Sequence, residues 1–464
     1  MTTTTATSLP VATHRRLPAP ELVVAIGAFA ALCLAVLLRS TALLEPDDRA
    51  YRASIVALVH GHISLTNAQY TALAAQLGSI AQWVHLPSGS WISEKNPGYP
   101  FFAAPFQLVG LLRVAPLFYG ALACAGLYAG GRRWLGRWGG TWAVVLYCGS
   151  GATLVFAWRA TMPTFTDASL IAAGTGALVW TMLARDATTR RRTAVGLLAF
   201  LALDGAVAIR YTNVVILLVA IAAVILAHRA ARVPLRSVAV WLGSVGALVA
   251  LLAAFDQHYY GGALNTGYSS GEITFGLSGL RPNIEEMPYH LVRSMPFLLL
   301  GLAAVGWIAV RAALTLRSGT DAAAVVVARR DAAVGGALAA CWLGIFGLYG
   351  AYTWTVSQGA NHGLTVHVIR FYVPALGAIA LLAAWLLAGV PRLLAGTALI
   401  ALVCLAAVTY PGLANDGPGG PGGPGGGGGG FPAGGAPSGH PGGMPPSGGL
   451  PGGAPPSGSA PPPG

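Results

Sequence analysis

The chain has 464 residues, 55% of them hydrophobic and 9% charged, with a mean hydropathy of +0.64. A soluble domain carries about 25% charged residues, so composition excludes a soluble globular protein and indicates a polytopic membrane protein. The net charge of +12 would suit a nucleic-acid binder, but the placement of the charges along the chain excludes that partner.

Residues 1–20 are Thr- and Pro-rich and are expected to be disordered. His14-Arg15-Arg16 precedes the first apolar run with no small-residue cleavage site after it, which reads as an uncleaved first helix. The membrane domain is expected over 21–411, with about eleven spans of the length a bilayer requires. The first is 21–43. The others are 108–129, 140–157, 168–184, 194–209, 213–227, 238–256, 295–311, 333–355, 371–389 and 393–411. The five cysteines, Cys33, Cys124, Cys148, Cys341 and Cys404, all fall inside apolar runs and form no C-x-x-C pair. They read as small core residues. From 412 to 464 the chain is Gly, Pro and Ser with almost no charge. Such a tail cannot bury a core and is expected to be disordered.

Charge gives the orientation. With the N-terminus cytoplasmic, 17 of the 27 basic residues fall on inner segments, and ten of the 15 acids fall at or beyond the outer ends. The inner loops are short and Arg-rich. The outer segments are long and varied, so function is expected on the extracytoplasmic face, where the tail also lies. The first outer segment, 44–98, carries two expected amphipathic helices, Tyr51–His60 and Ala68–Val84. The second has Tyr70, Leu73, Leu77, Ile80 and Val84 at helical spacing, as an interfacial helix would.

Five polar groups sit on that outer face. Asp47-Asp48-Arg49-Ala50-Tyr51 directly follows the first span. Glu94-Lys95-Asn96-Pro97-Gly98-Tyr99-Pro100 closes the first outer segment. Arg159 precedes Asp167 at the outer start of the fourth span. Arg210-Tyr211-Thr212-Asn213 and a stretch from His362 to Arg370-Phe371-Tyr372-Val373-Pro374 follow, with an aromatic loop from Tyr259 to Tyr268 between them. Ionisable groups at membrane depth are costly and usually kept for function. Adjacent carboxylates can serve as a general base or hold a metal; they can equally cap a helix.

Taken in order, these groups resemble the GT-C glycosyltransferases, membrane enzymes that use polyprenyl-phosphate sugars. The likeness is greatest to the protein-mannosyltransferase and aminoarabinose-transferase branch and covers about residues 20–410. The chain departs from that pattern in having Asp48 where Glu is common, Asn96 where Pro is common, and a Gly/Pro tail in place of a large soluble outer domain.

The resemblance implies an all-α GT-C fold in the plasma membrane. It implies direct inverting transfer of a sugar from a polyprenyl-phosphate donor to a protein, glycan or glycolipid acceptor. Asp47 would then be the base, with Asp48 the neighbouring alternative, and a divalent cation at Asp47 and Asp48 is left open. Lys95, Arg210 and Arg370 would contact the donor phosphate, and Asp167, Tyr51, Tyr99 and Tyr268 would bind substrate. Read from the residues alone, Lys95 and Arg370 also suit interface anchors, Arg210 a structural pair with Asp167 or Asp204, and the tyrosines an interfacial belt. A transporter or flippase of envelope precursors, or an envelope-assembly scaffold, is the alternative function. No internal repeat supports the transporter, and a scaffold leaves the ordered polar groups without a purpose.

Overall fold

The computed structural model describes residues 19–39, 46–78, 80, 82–268, 274–318, 321–353, 355 and 366–415. The expected tail from 416 on, the end of the first span and His362 lie outside them, while residues 412–415, expected in the tail, continue the last helix. The described chain is almost wholly helical, with one two-stranded hairpin. Each of the eleven expected apolar runs is helical, and the observed ends differ from the expected ones by a few residues or, at one end of some runs, by a few turns.

Among the described residues, seven helices are long and apolar enough to cross a membrane: α1 (Pro20–Leu37), α5 (Ala115–Leu135), α9 (Thr189–Ile209), α11 (Leu235–Tyr260), α13 (Leu298–Ser318), α14 (Ala322–Gly350) and the last, α17 (Arg392–Asn415). The other expected spans are α8 (Thr164–Leu183), α10 (Val214–Ala227), α16 (Leu376–Ala388) and a broken pair, α6 (Arg137–Cys148) and α7 (Gly151–Phe156). That pair corrects the single span expected at 140–157. The helix stops at Gly149, and Ser150 starts the next by accepting the Thr153 N–H on its hydroxyl at 3.2 Å.

Helices that are apolar all round belong in a core. Accordingly α8 and α16 are buried along nearly their whole lengths, while α11 and α17 keep wide exposed apolar faces. The centre is set by α5 crossing α8. A Cβ on Gly126 would stand 2.5 Å from the Ala173 carbonyl oxygen, and one on Gly130 would stand 2.3 Å from that of Gly176. Only glycine allows this approach, the small-residue packing that membrane helices use where no hydrophobic drive exists between them.

The segment after the first span folds as a small unit with its own apolar cluster of Ala50, Ala53, Ala57, Leu65, Leu73, Ile80 and Trp83. It comprises α2 (Pro46–Val59), α3 (Asn67–Leu77) and strands β1 (Trp83–His85) and β2 (Trp91–Ser93), followed by α4 (Gly98–Leu108). The helix expected over 68–84 ends early. Thr66 caps α3 reciprocally with Gln69, Tyr70, Leu73 and Leu77 form its inner stripe, and Gly78 breaks it at a φ of 79°. Beyond the break, Trp83-Val84-His85 pairs antiparallel with Trp91-Ile92-Ser93 around a Pro-Ser-Gly turn. The Tyr70 ring stacks on Trp91 at 4.2 Å, fastening α3 to the hairpin. The segment between α11 and α13 also holds a helix not expected from the sequence, α12 (Leu277–Ser294), which runs through Pro282 and Pro288.

Gly98 joins this unit to the bundle. A Cβ there would stand 2.3 Å from the Ala208 carbonyl carbon at the end of α9. Gly98→Val forces α4 off α9 and is expected to cost about 1–3 kcal/mol, read as a lowered melting midpoint of the detergent-solubilised chain.

Candidate active site

Neighbouring residues on a helix point about 100° apart, and α2 uses this to separate its two acids. Asp48 turns into the protein. It is fully enclosed and pairs with Arg159 at 2.5 Å, while the Thr161 hydroxyl donates to its other oxygen at 2.8 Å. Arg159 is itself 4% exposed. This buried pair fastens α2 to the turn between α7 and α8. Asp47, one residue earlier, is thereby turned the other way, into a cavity of about 730 Å³.

Three cations reach that cavity from distant parts of the chain, and two of them hold Asp47. Lys95 Nζ lies 3.3 Å from one Asp47 oxygen and the Arg370 guanidinium 3.1 Å from the other. Lys95 is set by the close packing of Gly98 on α9 and by Asn96, which donates to the Ile209 carbonyl at 3.4 Å. It also meets Glu94 at 3.4 Å and lies over the Tyr268 ring at 4.9 Å. Arg210 caps the turn Tyr211–Asn213 and donates to the Arg370 carbonyl at 3.2 Å. Behind it lies Asp167, fully enclosed, 3.6 Å from Arg210 and accepting from Asn213 at 2.6 Å.

Burial alone would raise the Asp47 carboxyl. The charges of Arg370 and Lys95 outweigh it, helped by hydrogen bonds from Gln82 and Lys95, and hold the group well below the usual carboxylate range. Gln82 reaches this position from a left-handed backbone, φ 64°. Strain of this kind in a non-glycine residue collects at functional sites.

Of the residues singled out in the sequence, Asp47, Tyr51, Lys95, Arg210, Tyr268 and Arg370 line one cavity. Three do not. Asp48 is occupied by Arg159 and Thr161 and does not line the cavity. Tyr99 is fully buried, donating its hydroxyl to the Ala160 carbonyl at 2.5 Å and meeting Tyr51 edge-to-face; it supports the site and does not line it. Asp167 holds Arg210 from behind and does not open onto the cavity. Glu94, Gln82, Tyr349, Tyr352 and Phe371 also line the cavity and were given no role. Glu94 could have been found by its place beside Lys95; nothing in the sequence marks Gln82.

A divalent cation shared by Asp47 and Asp48 does not fit these residues. The two carboxylates diverge, and two cations already surround Asp47. Among the described residues no three His, Cys, Asp or Glu side chains come together as a metal cluster.

No protein-family model matches the chain, and no curated protein sequence is significantly similar to it. Solved structures do match. The fold aligns with that of ArnT from Cupriavidus metallidurans bound to undecaprenyl phosphate, with a TM-score of 0.51 and 15% identity. The alignment covers 83% of this chain and 63% of that one, so this chain spans less than two thirds of its neighbour's length. The archaeal oligosaccharyltransferase AglB from Archaeoglobus fulgidus, in complex with an inhibitory peptide and a dolichol-phosphate, gives a TM-score of 0.48 at 13% identity, over 85% of this chain and 55% of that one. The described chain is all-α, with the long apolar helices of a multi-pass membrane protein. Its fold is similar to that of ArnT, in keeping with the resemblance seen in the sequence.

The two acids should separate by experiment. Asp48→Asn leaves Arg159 buried without its carboxylate partner and is expected to cost about 3–5 kcal/mol, with a large drop in melting midpoint. Asp47→Asn, at the cavity wall, removes a carboxylate that two cations hold and is expected to lower the melting midpoint by less than Asp48→Asn does.

Proposed function

We propose that the protein is an integral-membrane glycosyltransferase that moves a sugar from a polyprenyl-phosphate donor to an extracytoplasmic acceptor by direct inverting displacement. The observation that carries this reading is the convergence of Lys95, Arg210 and Arg370 around Asp47 in one cavity. The GT-C fold and the undecaprenyl phosphate bound by ArnT, a structural neighbour, support it. The distribution of arginines supports a cytoplasmic N-terminus in the plasma membrane, with the cavity facing outward.

The chemistry follows from the charges. A donor phosphate competes with Asp47 for Lys95 and Arg370, and Arg210 stands beside them. Arg offers a planar fork of donors suited to phosphate oxygens. As the cations turn to the phosphate, Asp47 loses the charges that depress its basicity and becomes a better proton acceptor. It accepts the proton of the acceptor hydroxyl while that oxygen bonds to the anomeric carbon from the face opposite the phosphate. The bond from the anomeric carbon to the phosphate oxygen breaks, and the departing phosphate keeps the electron pair, stabilised by the three cations. The Asp167–Arg210 pair serves to aim Arg210, and Asp48–Arg159 to aim Asp47.

Radiolabelled polyprenyl-phosphate sugars, presented to membranes with wild type or Asp47→Asn at matched expression, test the assignment. Wild type should transfer label, and Asp47→Asn should abolish it. Lys95→Ala and Arg370→Ala should each lower kcat on the order of 10²-fold. Transfer that survives Asp47→Asn removes the base; no transfer from any donor by wild type removes the function.

The pH profile is a separate check. With its pKa in the free protein below the unfolded value of about 3.9, Asp47 stays ionised from about pH 8 down to about pH 5. Its own contribution to kcat/KM should be flat there and fall only near or below about pH 4. An acid limb centred near pH 6 to 7 that Asp47→Glu shifts would contradict the charge assignment.

A further inference from the structure

The Asp47 cavity has a neighbour of opposite chemistry. A second cavity of about 600 Å³ lies between the β1–β2 hairpin and the loop after α11, where Ser64, Ser88, Ser90, Tyr259, Tyr260 and Thr266 contribute to its walls. Thr266 lines both cavities. The partition between them is thin: a Cβ on Gly267 would stand 2.3 Å from the Glu94 Cα, and the Tyr260 hydroxyl donates to the Ser93 carbonyl at 2.8 Å.

The first cavity carries the charged side chains of Asp47, Glu94, Lys95, Arg210 and Arg370. The second has no Asp, Glu, Lys or Arg among its described lining residues. Its polar equipment is hydroxyls, backbone and one imidazole, His258. Its aromatic surface is Tyr259, set edge-on against His258 at 4.6 Å, together with Tyr260.

We infer that this second cavity is the acceptor subsite and that its ligand is a neutral glycan, an inference that rests on the transferase reading above. Hydroxyl side chains both donate and accept, which matches the hydroxyls of a sugar ring. Tyrosine faces give flat amphipathic surface for its C–H side. A charged peptide, a uronate or a phosphorylated headgroup would find no Asp, Glu, Lys or Arg among the described lining residues to pair its charge. A glycan seated there presents its terminal hydroxyl past Thr266 to the cavity that holds Asp47, while the anionic donor is drawn to the cations of the first cavity.

The test reads binding and needs no donor. Saturation-transfer NMR is run on the detergent-solubilised full chain with pentasaccharides of mannose, galactose, glucose and arabinose. A Ser/Thr-rich peptide and a uronic-acid oligosaccharide serve as competing classes. At least one neutral series should bind, with affinity lowered about tenfold or more by Tyr259→Ala, which removes the aromatic face, and by Ser88→Trp, which fills the space. One substitution empties the site and the other crowds it, so an unchanged melting midpoint in either separates a lost site from a lost fold. The inference is overturned if no neutral series binds, if binding survives both substitutions, or if the peptide or the uronate binds better. Glycan binding without sugar transfer from any donor would defeat the transferase reading and leave the binding site standing.

Discussion

The candidate site depends on the buried pair between Asp48 and Arg159. An enclosed ion pair is a poor source of net stability, because desolvating both charges costs nearly what their attraction returns. Its value lies in what it forbids. Rotating α2 would take Asp48 from Arg159 and Thr161 and Asp47 from Lys95 and Arg370 at once, so the rotation of the helix is fixed. Thr161 holds the second Asp48 oxygen and Tyr99 packs beneath, bonded to the Ala160 carbonyl. The carboxylate that faces the cavity is thus aimed by one that is sealed from it.

With α2 fixed, the cations explain themselves by a shared local device. Lys95, Arg210 and Arg370 are far apart in sequence, yet each is followed within three residues by the start of a helix or helical turn, at Gly98, Tyr211 and Val373. Each apolar helix that follows anchors the backbone, and the side chain just ahead of it is left at the rim. Helix starts also carry partial positive charge, which adds to the three full charges. Asp47 and Glu94 meet Lys95 and Arg370, and Arg210 leans on Asp167 from behind, so each of the three cations has an acidic neighbour in the free cavity.

Much of this was legible in the sequence, for physical reasons that differ by element. The apolar runs announced their helices by length, and charge asymmetry placed Lys95, Arg210 and Arg370 at the same ends of their spans. What sequence could not give is rotation about a helix axis. Asp47 and Asp48 are chemically alike and adjacent, and only the tertiary partner Arg159 tells them apart. The hairpin was hidden because Ile80 and Val84 happen to continue the helical stripe of Tyr70, Leu73 and Leu77; the left-handed glycine at 78 and the Pro-Ser-Gly turn were the better signals. Gln82 reaches Asp47 only because the chain turns sharply there, and no local pattern encodes that.

The fold also explains why the hairpin is worth its place. Most of the site stands on helix ends of the bundle, which position side chains firmly. The hairpin instead extends from Lys95 and Glu94, so the residue that holds Asp47 and the wall of the second cavity are parts of one short stretch, Trp83 to Lys95. The connection runs along backbone, from the Ser93 carbonyl held by Tyr260 to Lys95 two residues on.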